Sequence, residues 1–276
     1  DIKSEHHIKP KPIDFDDFVL YNANLNGIVN VEIKANIPLD SEYIEDIPLL
    51  EAVLAEVGAG DLDEDQFSTQ EQLYTSGFKC QFAIKPSSKE KESGKSNVEG
   101  LFIIKCSALS KNIEHLFSLL EMMLLSPHLD NSDQIAVLIS MLAANLEQKS
   151  FLNSNEYVSR YAAAGHSKAA ALEELLSGFT SIKRISTLAH HNDWAAVSVR
   201  IQKVYRHVFR MGHFTALLHC SESDNEETIE LVDDLLSKLN NHTNKQQSGN
   251  KIEEFYSQVA LKNKIFVASD TFHYCT

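Results

Sequence analysis

The sequence predicts an α+β fold, a largely antiparallel sheet covered by helices on one face. Three observations carry that prediction. From Val29 to Ile37 the apolar residues Val29, Val31, Ile33, Ala35 and Ile37 alternate with Asn30, Glu32, Lys34 and Asn36. That is the period of a strand with one buried and one wet face. Two further strand-like segments, Phe78–Lys85 and Val98–Leu109, are joined by a polar loop with no helix between them, as antiparallel neighbours are. From Ser110 onward apolar residues recur mostly at helical spacing, which supplies the covering layer.

In chain order, residues 1–16 are a polar, Lys/Pro-rich lead-in. Phe18–Tyr21 is a short strand, and Asn24-Leu25-Asn26-Gly27 is a turn that folds it back onto the alternating strand as a hairpin. A helix starts near Asp46 with Pro48 in its first turn, where a missing N–H costs nothing. Leu49, Leu50, Val53, Leu54 and Val57 form its apolar stripe, and Gly58 is its stop. Asp63 caps a second helix over Glu64–Thr75, ended by Gly77. The strand pair follows, split by the loop Pro86–Asn97. Ser110 and Ser132 cap the next two helices, the first closed by Pro127. Further helices span Asn155–Ala164 and run from Ser167 to Gly178; Thr180 caps a short one, and another goes from Asp193 towards His207. Thr215–Cys220 is a strand, and Glu226–Leu239 is an acidic amphipathic helix. One domain thus covers 17–240. Residues 241–263 form a linker, and 264–276 begin a truncated following domain with its first strand.

Composition narrows the function classes. The chain is 43% hydrophobic and 23% charged, an ordinary globular balance. Its net charge of −14 argues against nucleic acid, which needs clustered Lys and Arg. No run of about 18 apolar residues occurs, so no membrane partner is expected. The opening DIKSEHHIKPKPIDFDD has neither an apolar core nor an initiating Met; it reads as neither a signal peptide nor a native start, and the chain as a segment of a longer protein. Cys80, Cys106, Cys220 and Cys275 are far apart on apolar or strand-like stretches. They read as reduced core cysteines of an intracellular protein, with cytosol, mitochondrion and plastid equally compatible.

The unit from Gly27 to Gly60, GIVNVEIKANIPLDSEYIEDIPLLEAVLAEVGAG, resembles the opening of a domain in the pitrilysin/insulinase clan of zinc metallopeptidases, within the presequence-protease/falcilysin branch. Ser167–Leu188, SKAAALEELLSGFTSIKRISTL, is similar to the small-residue turn, L-x-E-x-x-x-G helix and short helix of the third domain in that branch. The likeness in element order covers about Val19 to Leu239. In catalytic domains of the clan the first helix carries H-x-x-E-H, two zinc ligands and a base. Set just after Pro48, those three positions fall at Leu49, Ala52 and Val53, which neither bind metal nor move a proton. The resemblance therefore implies a non-catalytic domain with no cofactor of its own and zinc elsewhere in the parent. It implies a wall of a closed chamber around unstructured peptides, with the remaining parent domains as partners. The alternative it implies is a structural or interaction module from a catalytically inactive member of the clan. Tyr161 and Ala164 stand where relatives are expected to carry basic residues.

Other chemistry is sparse. Lys111-Asn112-Ile113-Glu114-His115 matches H-x-x-E-H except that Lys replaces the first His, and an ammonium repels a cation. His190 and His191 are adjacent and diverge on a helix. His207, His213 and His219 are six apart, so the last two share a strand face only if that strand is unbroken. His6-His7 is a weak adventitious pair. Neither a G-x-S-x-G nor a phosphate-cradling glycine motif is present. Arg160, Lys183 and Arg184 beside Tyr157 and Tyr161 are the candidate peptide contacts, with a solvated helix face as the competing explanation.

Overall fold

The computed structural model describes residues 12–37, 39, 43–86, 98–191, 193–241, 265–269 and 272–275. His6-His7, most of the loop after Pro86 and nearly all of the linker lie outside these residues. The main sheet consists of β1 (Pro12–Asp14), β2 (Phe18–Asn22), β3 (Ile28–Ile37), β4 (Lys79–Pro86), β5 (Val98–Leu109) and β6 (His213–Cys220). Their spatial order is β1-β2-β6-β3-β5-β4, and every pairing is antiparallel except β2 with β6. The alternation in β3 is realised: Val29, Val31, Ile33, Ala35 and Ile37 are buried, and Asn30 and Asn36 are exposed. On the open face Glu32 pairs with Lys34 at 2.7 Å and Lys105 at 3.3 Å.

The helices are α1 (Ile47–Val53), α2 (Glu64–Tyr74), α3 (Ile113–Leu125), α4 (Ser132–Leu152), α5 (Ser154–Ala163), α6 (Lys168–Ser177), α7 (Phe179–His191), α8 (Trp194–Met211) and α9 (Asn225–Asn240). The apolar face of the sheet is covered by α1 against β4, α3 against β5, α8 against β3 and α9 against β6. Behind them α4 packs on α1, α7 and α8. The α+β class therefore stands as read.

Several local expectations are corrected. β2 and β3 do not form a hairpin, because β6 lies between them and pairs with each. The turn at Asn26 (φ 54°) and Gly27 (φ 76°) is left-handed as its residues favour, but it spans a gap of one strand. β6 buries Phe214, Ala216, Leu218 and Cys220 and takes a central slot, where both of its edges find ladder partners. α1 follows a 3-10 turn at Ile44–Asp46 and ends at Val53, well short of Gly58. A residue assigned to the lead-in, Pro12, starts edge strand β1. Near the C-terminus there are two strands rather than one: β7 (Ile265–Ser269) pairs antiparallel with β8 (Phe272–Cys275).

Helix caps divide the same way. Asp63 caps α2 in a reciprocal box with Gln66, and Ser167 and Asp193 cap α6 and α8. Ser110 caps nothing; its hydroxyl donates to Asp224 at 2.6 Å, far along the chain. Asn131 caps α4 in place of Ser132, accepting from the Gln134 N–H. α7 is a full 13-residue helix, and Thr180 lies within its first turn. Its N–H and hydroxyl both donate to Glu174, at 2.9 and 3.0 Å. Cys80, Cys106 and Cys220 are free thiols.

Candidate functional site

Only one charged side chain interrupts the apolar run Ile47–Val53, and it marks the site. Glu51 points from α1 across to β4 and accepts the Phe82 N–H at 3.2 Å. β4 ends the sheet, so this N–H faces away from β5 and has no strand partner. A cleft of about 360 Å³ opens here between α1, the outer edge of β4 and α6, with Arg160 at its rim. A smaller hollow of about 150 Å³ adjoins it, sharing Pro48, Glu51, Leu176 and Ser177 and reaching Ala52. Burial pushes the Glu51 carboxyl up to about 7, against the opposing pull of the Phe82 N–H and the Lys79 charge.

The three positions aligned with a metal helix do not fit a metal. Leu49 and Val53 are fully buried hydrocarbon, and Ala52 offers a methyl group to the smaller hollow. Among the described residues no group of three or more His, Cys, Asp or Glu is arranged to hold an ion. The sequence-level histidine candidates are dispersed. His115 stacks on Tyr74 at 4.0 Å, and His190 Nδ1 is 2.6 Å from the Ser186 carbonyl. His213 and His219 do share the open face of an unbroken β6, but six residues of strand separate them by roughly 20 Å. His213 meets Asp17 at 3.0 Å, and His219 stacks on Tyr21.

The five candidate peptide contacts separate. Arg160 lines the cleft: one guanidinium nitrogen donates to the Ser177 carbonyl (2.8 Å) and hydroxyl (3.1 Å), the other to Glu156 (2.9 Å). Tyr157 is buried beneath it, with the guanidinium 5.6 Å from its ring centre and Phe179 on its other side. Tyr161 is buried and Lys183 exposed. Arg184 is turned inward to Asp46 and the Glu45 carbonyl, and Arg200 joins it on the same carboxylate.

The L-x-E-x-x-x-G pattern also acquires a physical reason. Glu174 is fully buried, and its Oε1 caps the start of α7 through Thr180. Gly178 makes room for it, because a Cβ there would collide with the Glu174 carboxylate and stand 2.8 Å from the Glu174 carbonyl oxygen. The α6–α7 corner so formed sets Ser177, which in turn holds Arg160 over the cleft. Glu51, Asp46 and Glu174 escaped sequence reasoning; their only signal was a carboxylate within or beside an apolar run.

The model of the family described as peptidase M16 (subfamily C) associated matches residues 1–188 of the 276. The chain belongs to this family. The match takes in β1 to β5 and the cleft residues, and stops before α8, β6 and α9. Mitochondrial presequence protease of Danio rerio is 24% identical over 197 residues, covering 71% of this chain and 19% of that protein. The Xenopus laevis protein of the same name is 20% identical over 215 residues (78% and 20%), and that of Yarrowia lipolytica 24% over 201 (72% and 19%). The chain thus spans about a fifth of the length of the curated relatives it matches. A conserved protein from Enterococcus faecalis V583, solved by crystallography, shares the fold with a TM-score of 0.56 and 11% identity, over 82% of this chain and 52% of its own. The likeness seen at Gly27–Gly60 and Ser167–Leu188 is therefore a family relationship.

Proposed function

We propose that this peptidase-associated domain is a non-catalytic part of a zinc metalloendopeptidase, forming a section of the wall that encloses unstructured peptides. The α1 cleft carries the reading. Hydrocarbon fills the three positions aligned with the metal helix, while the space beside that helix stays open, lined by Glu51, Arg160 and the free edge of β4. Zinc, on this reading, sits in another domain of the parent chain, and the remaining domains are the direct partners. Arg160 and Lys183 meet the peptide; Tyr157 carries Arg160, while Tyr161 and Arg184 hold their helices. Residues 264–276 begin the next domain after the linker 241–263. The mitochondrial relatives support an organelle as the compartment.

The test is hydrolysis of an unstructured basic peptide with added zinc, using phenanthroline as control. The purified chain alone should not cleave. Addition of a catalytic half bearing H-x-x-E-H should produce cleavage, and Arg160→Ala should then raise KM with little change in kcat. Chelator-sensitive cleavage by the chain alone overturns the proposal. A second reading, an interaction module of an inactive clan member, is favoured by the exposed stripe Val137, Met141, Phe151 and Leu152 on α4. A stable complex with the catalytic half but no hydrolysis would select it.

A further inference from the structure

A larger hollow lies away from the α1 cleft, where the C-terminal ends of α3, α8 and α9 meet. Its volume is about 830 Å³, within the range of small-ligand sites, roughly 300–1,000 Å³. Leu125, Tyr205, Phe209 and Leu239 give it an apolar lining; Arg206, Arg210 and Lys238 supply the charge. No carboxylate is among the described residues that line it. The aromatic floor is held firmly. Tyr205 and Phe209 lie 4.4 Å apart, Phe209 packs at 5.1 Å on Phe214 of the core, and the Tyr205 hydroxyl donates to the Leu124 carbonyl at 2.8 Å.

The three cations are not equivalent. Lys238 is neutralised by Glu121, 2.9 Å from each oxygen, and by Asp234 at 2.7 Å. Arg206 reaches only the neutral Gln202 amide oxygen, at 3.4 Å. Arg210 has no ion-pair partner among the described residues. The two arginines are four residues apart on α8, so their guanidinium groups share one face. A cation in the last turn of a helix answers the dipole there, and Arg210 alone does that for α8. The dipole accounts neither for a second unmatched guanidinium one turn earlier nor for a void floored by two rings.

We infer that this hollow binds a carboxylate carried on an apolar body, namely the C-terminal end of a peptide whose last side chain is aromatic. Two planar guanidinium groups match a carboxylate in geometry as well as charge, and the Tyr205–Phe209 floor matches the ring. Charge complementarity favours this occupant. On a chain of net charge −14 a carboxylate is repelled over most of the surface, and the paired arginines make the local exception.

Calorimetric titration of the 276-residue chain with N-acetyl-Ala-Ala-Phe, as free carboxylate and as C-terminal amide, tests this. The carboxylate should bind saturably, and the amide at least about tenfold more weakly. The double variant Arg206→Gln/Arg210→Gln should lose the same factor. Lys203→Gln, which removes a like charge from α8 outside the hollow, should bind as the parent does. Both arginines are exposed, so the thermal midpoint of the double variant should stay at the parental value; if it falls, Arg210→Gln alone is compared. Equal binding of acid and amide, equal loss in Lys203→Gln, or no saturable binding of the acid overturns the assignment.

Discussion

Glu51 concentrates the chemistry of the α1 cleft into one side chain. Its carboxyl is held at about 7 by burial, above the ordinary 4.5, so the folded state binds the proton more tightly than the unfolded chain does. The resulting stabilisation is complete below pH 4.5 and is lost as pH rises to about 7. That window corresponds to on the order of 3 kcal/mol. Glu51→Gln keeps an acceptor for the Phe82 N–H and removes the titration. In urea unfolding, the stability of the variant relative to the parent should therefore rise between pH 4.5 and about 7 and stay level above it. Glu71 and Glu174, also raised by burial, titrate in both proteins and cancel in the difference. Parallel curves would sink the assignment. Sequence alone showed Glu51 only as one charge in an apolar run; its partner lies on another element, which no spacing rule reaches.

Among the elements, the joint between the 3-10 turn before α1, α7 and α8 depends on Asp46. This carboxylate is almost fully buried and receives both Arg184 and Arg200. Burial lowers the Arg184 pKa while Asp46 opposes that shift, so removing Asp46 leaves a buried cation uncompensated. Asp46→Ala should cost about 3 kcal/mol in unfolding free energy. Arg200 is more exposed and contributes the smaller share. Lys183→Ala, on the exposed side of α7, should change stability by less than about 0.5 kcal/mol. A near-neutral Asp46→Ala would show that the joint is held by apolar packing instead. Element types and most limits were legible because periodicity and the caps at Asp63, Ser167 and Asp193 are settled within about four residues of chain. Ser110 misled because its hydroxyl has a tertiary partner in Asp224.

At the level of the molecule, β6 is the keystone. It arrives late in the chain yet lies between β2 and β3, and without it β2 loses its parallel partner and β3 becomes an edge. A chain ending at residue 188, the span of the family match, also lacks α8 and α9, which cover β3 and β6. It should unfold without a cooperative transition in urea, whereas residues 12–241 should unfold in one step. Cooperative unfolding of the shorter chain would show that β3, β4 and β5 form a core by themselves. The sequence by itself determined which face of each strand and helix is apolar, where most elements start and stop, and that α1 cannot bind zinc. All of these depend on residue identity and on neighbours within a few positions. The tertiary structure decided that β6 separates β2 from β3, that Arg184 turns to Asp46 and that Glu51 caps the edge of β4. Those outcomes come from competition among distant segments for buried surface and for the few free hydrogen-bonding groups, and local pattern does not encode that competition.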